Sequence, residues 1–474
     1  MAWASVSTPR YRRFKRAITI PGSCKPLNSD RMPRSLEHQL MNLAGKLALI
    51  ITFLFLMVTD LSAQDSTQRV GLHFQFTTIT QQHTRFHAPY EGDRSLQRSE
   101  QAATSLTATI FAGVKLARHA EFYLNPEMAG GTGLSGATGV GGFTNGETFR
   151  VGNPRPAITM ARAFVRQIIP LSSESVWREE AANNLHIEVP EKYIAIHAGK
   201  LSLADYFDFN TYSHDPRDHF INWALMSNGA WDYAADTRGY TWGIVGELIL
   251  KDWELRLATA LLPTYANGPK MNWDYAHSYS WQVEGVRYWG TSRRGALRAL
   301  LFMNHGPMGR YADAIAMPVP DVSAVRAPGR TNYGVGLNVE QPVNAFGGLF
   351  GRASWSSGKA EIWCFTEIER SLSGGYVIHG APWQRSDDVL GLAFVVNGLS
   401  GDHRRYLEAG GYGFMLGDGK LNYATENIFE AYYKFTFPRF FMTFTPDYQF
   451  VMNPAYNRDR GPVHFFALRF HVDL

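Results

Sequence analysis

The chain has 474 residues, and its Lys and Arg outnumber its Asp and Glu by four. Its aromatic content of 14% is high for a soluble enzyme. A helical membrane protein needs several apolar runs of about 18 or more residues, and the longest run here, residues 47–58, has twelve. The composition therefore excludes a helical membrane protein and leaves one large architecture or two to three ordinary domains.

The apolar run at residues 47–58 indicates a secretory signal peptide. Lys46 precedes the run, and Ala63 supplies a small residue before a cleavage site at Gln64. We therefore predict a leader over residues 1–63, with the true translation start at Met32 or Met41, and a mature domain over residues 64–474. The alternative is a genuine basic extension at the N-terminus.

Removing the leader changes the charge of the protein. Residues 1–63 contain nine Lys and Arg and three Asp and Glu, which leaves 37 basic and 39 acidic groups in residues 64–474. Nucleic-acid binding then has no support from composition. Cys24 lies in the leader and leaves Cys364 alone, so a disulfide within one mature chain is excluded.

Alternation of apolar and polar residues dominates the sequence from residue 70 onward. In residues 104–116, for example, Leu106, Ile110 and Val114 alternate with Thr107 and Thr109. This period of two predicts strands with two different faces. About seventeen such segments occur, among them residues 253–261, 297–304, 333–341, 406–415, 428–437, 440–452 and 463–474.

Two kinds of connection separate these segments. Residues 251–252 and 438–439 are tight turns, whereas residues 129–156, 205–238 and 304–330 are long and rich in Gly, Pro, Asn and Asp. Alternation of short turns with long loops is typical of an up-and-down transmembrane barrel. The sequence therefore predicts an all-β fold, a transmembrane antiparallel β-barrel whose apolar face meets lipid and whose long loops fold into the lumen. In residues 428–437, this assignment places Phe435 toward lipid and Lys434 in the lumen.

The last eleven residues keep an apolar row to the final side chain. Phe466, Leu468, Phe470, Val472 and Leu474 share one face. A closed barrel must pair its last strand with its first, because an open edge in lipid leaves backbone groups without partners. We therefore predict that residues 463–474 are the closing strand. Their apolar end also resembles the C-terminal signal that the outer-membrane assembly machinery reads, although that signal usually ends in Phe.

Residues 205–243 are the best candidate for a binding site. Three Trp alternate there with acids, amides and Arg. Aromatic rings stack on the C–H faces of sugars, and Asp, Asn and Arg bridge pairs of hydroxyls. The candidate substrate-binding residues are Trp223, Trp231, Arg217, Arg238, Asp215, Asp218, Asn222, Asp232 and Asp236. The alternative is that the Trp side chains form an aromatic girdle at the membrane surface.

Catalytic, metal and cofactor chemistry have little support. The glycines at 131, 133 and 136 match GxGxxG, but the residues that follow cannot form the helix that a dinucleotide fingerprint needs. His73, His83 and His87 lack carboxylates at ligand spacing, and no GxSxG elbow for serine hydrolysis occurs. We therefore expect that the protein is not an enzyme and that it binds no metal and no cofactor.

The chain resembles the carbohydrate-selective porin family of Gram-negative outer membranes. The similarity covers nearly all of residues 70–474, and it is clearest in HAPYEGDRSL (87–96), FYLNPEMAGGTGLSG (122–136), GFTNGETFRVG (142–152) and GKLSLADYFDFNTYSHDPRDHFINWALMSNGAWDYAADTRGYTWG (199–243). The resemblance implies a barrel of sixteen strands in the outer membrane, one fewer than the segments counted above. It also implies diffusion of sugars through the lumen.

The sequence therefore predicts an outer-membrane porin that passes small carbohydrates passively. Its expected partners are small sugars, outer-membrane lipids and the barrel-assembly machinery. A constriction formed by the long loops would set selectivity, and binding there must stay weak because a tightly held solute cannot leave the pore. Two alternatives remain, an outer-membrane enzyme on the same scaffold and a surface lectin whose barrel is plugged.

The mature protein is expected to begin near Gln64. The apolar run and Ala63 motivate this prediction. The intact mass of the protein extracted from membranes tests it. Retention of residues 1–40 would contradict both the cleavage site and the late start.

Overall fold

The structure is a computed structural model that describes residues 68–148, 154–290 and 294–474. The predicted leader and its cleavage site lie outside the described residues. No helix among the described residues is long and apolar enough to cross a membrane.

The described residues form eighteen strands and three short α-helices. The first nine strands are β1 Val70–His83, β2 Ala103–Ala117, β3 Ala120–Gly131, β4 Ala157–Pro170, β5 Ser175–Arg178, β6 Ile187–Pro190, β7 Tyr193–Leu201, β8 Thr241–Ile249 and β9 Trp253–Leu261. The other nine are β10 Tyr279–Trp289, β11 Gly295–Gly306, β12 Arg330–Pro342, β13 Gly347–Ser356, β14 Arg370–Gly380, β15 Arg385–Gly398, β16 Glu426–Phe437, β17 Met442–Met452 and β18 Val463–Asp473. The helices are α1 Trp223–Met226, α2 Tyr311–Ile315 and α3 Gly401–Glu408.

Sixteen of these strands form one closed antiparallel barrel, as predicted. Strand β18 pairs with β1, in a register that runs from Gln75 opposite Asp473 to His83 opposite Phe465. Phe74 and Leu474 extend the ladder by exchanging backbone N–H···O bonds of 2.8 Å in both directions. The closing role predicted for the last strand is therefore confirmed, and the pairing removes the edge that an open sheet would expose.

The two faces of each strand separate as the alternation predicted. On β18, Phe466 is 52% exposed and Leu468 is 43% exposed on the outer surface. Arg469 on the other parity is buried and donates to the carbonyl oxygens of Pro216 and His219 inside the barrel. The outer surface is thus apolar and the lumen polar, which suits lipid outside and water inside.

Short and long connections lie at opposite ends of the barrel. The eight long connections cover residues 84–102, 132–156, 202–240, 262–278, 307–329, 357–369, 399–425 and 453–462. At the short-turn end, the connection between β4 and β7 contains the hairpin of β5 and β6, which lies outside the barrel sheet. Leu185 and Ile187 of this connection pack with Tyr123 and Phe164 in a small separate core.

The strand predicted at residues 406–415 is wrong. Helix α3 covers the first part of this range, and the residues after it form no strand. Ser400 caps the helix by accepting a hydrogen bond of 3.1 Å from the backbone N–H of His403. Gly410, with φ of 87°, follows its last turn. Such a short apolar run is compatible with the period of a strand and with that of a helix. The cap at Ser400 and the glycine at 410 favour the helix.

Leu301→Arg is expected to prevent stable assembly of the barrel. Leu301 lies at the middle of β11, is 57% exposed on the outer face, and has Val283 and Val335 as its cross-strand neighbours. Arg on the lipid face near the midplane costs about 2–4 kcal/mol. Leu301→Ala keeps the site apolar and is the matched control. Heat-modifiable mobility on gels measures the assembled fraction, and equal fractions for both variants would contradict the lipid-facing assignment.

Candidate functional site

The connection between β7 and β8 enters the barrel and crosses its lumen. We call residues 205–240 the inserted segment. The backbone N–H of Asp208 donates to Glu284 on β10 at 2.7 Å, and that of Thr211 donates to Glu340 on β12 at 2.6 Å. The N–H of Ile221 donates to Glu430 on β16, also at 2.6 Å. Because these acceptors belong to well-separated strands of the wall, the inserted segment spans the interior.

A buried ion pair ties the inserted segment to strand β13. Arg352 lies 3.2 Å from Asp208, and both side chains are at most 1% exposed. The same guanidinium donates to the backbone carbonyl of Leu225 at 2.8 Å. The amide of Asn338 adds a hydrogen bond of 2.6 Å to the Asp208 carboxylate. The pair is therefore supported by further hydrogen bonds, as a buried pair must be to offset its loss of hydration.

Several Asp and Asn side chains of the inserted segment shape its own backbone. Asn222 caps helix α1 by accepting from the N–H of Ala224 at 2.9 Å. Asp215 accepts from the N–H of Arg217 at 2.9 Å. Short polar side chains of this kind stabilise turns by bonding to the backbone two residues on. Part of the acidic and amide content of the segment is thus used for its fold.

Two neighbouring cavities lie along the inserted segment. The first has a volume of about 160 Å³ and is lined by Gly146, Glu147, Arg162, Ser202, Ala204, Asp205, His214, Asp215, Pro216, Arg217, Met226, Ser227, Tyr233, Arg238, Gly239 and Tyr240. The second has a volume of about 70 Å³ and is lined by Gly146, Thr148, Trp223, Met226, Tyr233, Ala235, Asp236, Thr237, Arg238, Gly239, Asn267, Cys364 and Phe365. Five residues border both cavities, so the two spaces are adjacent compartments.

Paired charges line the first cavity. Arg162 of β4 forms two hydrogen bonds of 2.6 Å with the carboxylate of Asp205. Arg217 lies 2.9 Å from Glu147 and 3.4 Å from Glu127 of β3. Burial would lower the pKa of the Arg217 guanidinium, but the surrounding carboxylates outweigh burial and hold this pKa above its usual value. Both guanidinium groups are thus paired with fixed carboxylates.

Arg238 borders both cavities. Its backbone N–H donates to Asp236 at 2.9 Å, which closes a turn. Among the residues that the structure describes, the Arg238 guanidinium forms no ion pair within 4.0 Å. Arg238 is therefore the cation of this site with the most freedom to bind a solute.

Aromatic rings line the second cavity. Trp223 stacks on Phe365 with ring centroids 5.5 Å apart and an angle of 16° between the planes. The ring of Tyr233 lies 4.7 Å from that of Phe365. We call these three rings the aromatic wall. Aromatic rings can pack on the C–H groups of a pyranose, and the polar neighbours Asp236 and Asn267 can reach its hydroxyl groups.

The nine predicted site residues divide by location. Trp223, Arg217, Arg238, Asp215 and Asp236 line one or both cavities. The other four line neither of these two cavities, and they are Trp231, Asn222, Asp232 and Asp218.

These four residues have structural partners instead. Trp231 is 1% exposed and donates from Nε1 to Gln282 at 2.9 Å. Asn222 and Asp232 are equally buried, and the Asp232 carboxylate accepts from the backbone N–H groups of Trp363 and Cys364. Asp218 pairs with Lys434 of β16 at 3.1 Å, which confirms that Lys434 faces the lumen. These residues hold the inserted segment in place rather than line the two cavities.

The aromatic girdle and the binding site use different Trp side chains. Trp242 on β8 is 39% exposed, and Trp273 is 68% exposed. The centroids of their rings are 5.7 Å apart. These rings belong to the outer surface, as a girdle requires. Trp223 and Trp231 lie inside the barrel and are buried. The two interpretations of the aromatic residues therefore apply to different positions.

Several cavity residues have no counterpart among the predicted ones. They are Glu147, Arg162, Tyr233, Tyr240 and Phe365. Glu127, which lines neither cavity but pairs with Arg217, was also not predicted. The inward parity of β3 and β4 could have indicated Glu127 and Arg162. No sequence signal connects Phe365 to Trp223, because the two rings come from loops about 140 residues apart and meet only after the barrel closes.

Comparison with known proteins gives a family and a fold. Residues 93–474 match the family described as "Carbohydrate-selective porin, OprB family". The chain is similar to the high-pH structure of Pseudomonas putida OprB, with a TM-score of 0.64 and 13% identity, over 86% of this chain and 94% of that chain. A search of the curated proteins gave no match.

Two further solved structures show weaker similarity. The outer membrane channel DcaP of Acinetobacter baumannii has a TM-score of 0.48 and 8% identity, over 85% of this chain and 97% of that chain. Salmonella typhi OmpF in complex with daunomycin has a TM-score of 0.47 and 8% identity, over 87% of this chain and 99% of that chain. Both of these TM-scores are below 0.5, so among these three structures the fold comparison rests on Pseudomonas putida OprB.

Arg352→Met is expected to loosen the inserted segment without opening the barrel. Removing one partner of a buried ion pair costs about 3–5 kcal/mol, and Asp208 would lose its counter-charge. Limited proteolysis of the assembled protein should then cut within residues 205–240. The control is Arg404→Met on α3, because Arg404 is 49% exposed and its surface pair with Glu408 contributes at most about 1 kcal/mol. Equal resistance of both variants would show that Arg352 does not anchor the segment.

Proposed function

Because the chain belongs to the carbohydrate-selective porin family, we propose that it is a passive outer-membrane channel for small sugars in a Gram-negative bacterium. The closed sixteen-stranded barrel supplies the path through the membrane, and the inserted segment narrows it. The family and the fold favour a channel over an enzyme on the same scaffold.

The observation that carries the proposal is the pair of adjacent cavities along the inserted segment. One cavity has ion-paired Arg and carboxylate groups, and the other has the aromatic rings of Trp223, Tyr233 and Phe365. Ion-paired groups can exchange hydrogen bonds with water for bonds to hydroxyls without gaining a net charge. Binding at these cavities must stay weak, because a solute held tightly cannot leave the pore.

The proposed surroundings of the barrel follow from its outer face and its ends. The exposed apolar rows on strands such as β11 and β18 suit contact with outer-membrane lipids. The apolar C-terminal strand suits recognition by the barrel-assembly machinery. Export by a leader over residues 1–63 is proposed from the sequence alone.

Conductance of the purified protein in planar bilayers tests the proposal. The parent should conduct ions, and graded glucose or maltose should block that current. Trp223→Ala should weaken the block about fivefold, which corresponds to about 1 kcal/mol for one aromatic contact. Arg238→Ala should also change ion selectivity, because it removes a fixed positive charge beside the path.

Arg404→Ala, at a position of helix α3 whose side chain is 49% exposed, is the matched control and should behave like the parent. A protein that does not conduct but retains polysaccharide would favour the plugged lectin. Cleavage of oligosaccharides or lipids would favour the enzyme. If Trp223→Ala and Arg238→Ala conduct and are blocked like the parent, the cavities along the inserted segment do not lie on the sugar path.

A further inference from the structure

A second loop contributes to the aromatic wall of the second cavity. We call residues 357–369, between β13 and β14, the Phe365 loop. Its Phe365 ring stacks on Trp223 of the inserted segment, and Cys364 beside it borders the same cavity. The wall therefore depends on the relative position of two loops.

One part of the Phe365 loop is fixed to the inserted segment. The carboxylate of Asp232 accepts from the backbone N–H groups of Trp363 at 3.1 Å and Cys364 at 2.8 Å. Thr366 donates from its hydroxyl to the carbonyl of Gly229 at 2.5 Å. These bonds lie on both sides of Phe365 and fix the backbone that carries its ring.

The other part of the loop is held by a buried histidine of helix α3. His403 Nδ1 lies 2.7 Å from the carboxylate of Glu369, and its Nε2 lies 3.9 Å from that of Glu367. The imidazole stacks on Tyr311 of α2, with centroids 4.3 Å apart and planes 7° from parallel. All three ionisable side chains are at most 2% exposed. Glu367 is two residues from Phe365, so this cluster adjoins the aromatic wall.

The carboxylates also join the Phe365 loop to its neighbours. Glu369 accepts from the backbone N–H of Ser400 at 3.0 Å. Glu367 accepts from the N–H groups of Met415 at 2.9 Å and Leu416 at 2.8 Å. A change of charge at His403 therefore acts on two carboxylates that join the Phe365 loop to the connection over residues 399–425 at both ends of helix α3.

The charge of His403 depends on these surroundings. Burial alone would lower the pKa of His403, but Glu369 and Glu367 outweigh burial and raise this pKa above its usual value. The remaining ionisable group packed against the imidazole is Tyr311, whose pKa burial raises well above normal, so it stays neutral. Because the pKa of His403 is raised in the folded protein, its protonated form stabilises the fold. This stabilisation is complete at acidic pH and is lost as the pH rises through the pKa of His403 in the folded state.

We propose that the Phe365 loop is a second selectivity element of the pore, and that His403 is the positioning residue that holds Phe365 against Trp223. The proposal rests on the proposed sugar-channel function and extends it to a loop outside the inserted segment. The charged imidazolium donates from Nδ1 to Glu369 and attracts the Glu367 carboxylate across 3.9 Å, which fixes the loop. Loss of the proton leaves two buried carboxylates without a cation and loosens the loop, which weakens the sugar contact at alkaline pH.

The first experiment is the pH profile of sugar block in planar bilayers. The parent should be blocked by maltose at acidic pH, and the block should weaken several-fold as the pH rises. His403→Gln should show a weak block that is independent of pH. The block of Phe365→Leu by maltose should also be weak at every pH. His277→Gln is the matched control, because His277 forms a comparable 2.9 Å pair with Asp274 but is 74% exposed. Its profile should equal that of the parent.

The second experiment detects the loop without any sugar. Cys364 is buried, and Cys24 lies in the predicted leader, so Cys364 is the thiol expected in the mature protein. A small methanethiosulfonate reagent at one fixed, mildly acidic pH should modify Cys364 about tenfold faster in His403→Gln than in the parent, because local opening limits access to a buried group. His277→Gln should react at the parent rate.

The outcomes separate this proposal from the proposed function. Equal pH profiles and equal labelling rates for the parent and His403→Gln would overturn the positioning role. A parent-like block in Phe365→Leu would overturn the selectivity role. If no sugar blocks the parent, the sugar-channel function fails, and the labelling rates still decide whether His403 holds the loop. If His403→Gln does not assemble, Glu369→Gln, which removes the nearer carboxylate, replaces it in both experiments.

Discussion

The structure depends on one constraint, which is that a chain placed inside a barrel must find acceptors for its backbone N–H groups. Carboxylates that point inward from the wall provide them. Glu284, Glu340 and Glu430 accept from the inserted segment, and Glu426 accepts from Gly141 and Gly142 of another loop. A buried donor without a partner costs about 1–3 kcal/mol, and one carboxylate can satisfy two such donors. The wall thus determines where each loop lies.

Fixed loops make selectivity possible in a channel that binds its solute weakly. The cavity walls come mainly from loops, with Arg162 of β4 as a contribution from a strand. Arg162 and Arg217 are held by carboxylate partners, so these two groups need little reorganisation when a solute replaces water. The aromatic rings are held in the same way, since Trp223 donates from Nε1 to the carbonyl of Asn145 at 2.7 Å. The barrel provides the path, and the anchored loops provide the surface that a solute meets.

The acidic and amide residues of the inserted segment illustrate why composition alone overstates a binding site. Asp232 and Asn222 resemble sugar ligands by type, yet both are buried and bonded to backbone groups. Asp215 has both uses, because it supports a turn and also lines a cavity. Short polar side chains serve turns, caps and ligands through the same oxygen atoms. Their role therefore follows from their surroundings rather than from their identity.

The sequence by itself determined the fold, because the alternation of faces is a local property that each strand carries in its own residues. The closing strand, the inward position of Lys434 and the division into short turns and long loops all follow from that pattern. The sequence also located the inserted segment, through its length and its mixture of Trp, Arg and Asp. It failed at residues 406–415, where a cap and a glycine outweigh a short apolar run.

Only the tertiary structure decided which residues of the inserted segment reach a cavity. Trp223 and Trp231 are eight residues apart and alike in type. Trp223 stacks on Phe365, whereas Trp231 donates a hydrogen bond to Gln282 of the barrel strand β10. Their difference arises from contacts with loops and strands far away in the chain. Such contacts depend on how the barrel closes and leave no periodic trace in the local sequence.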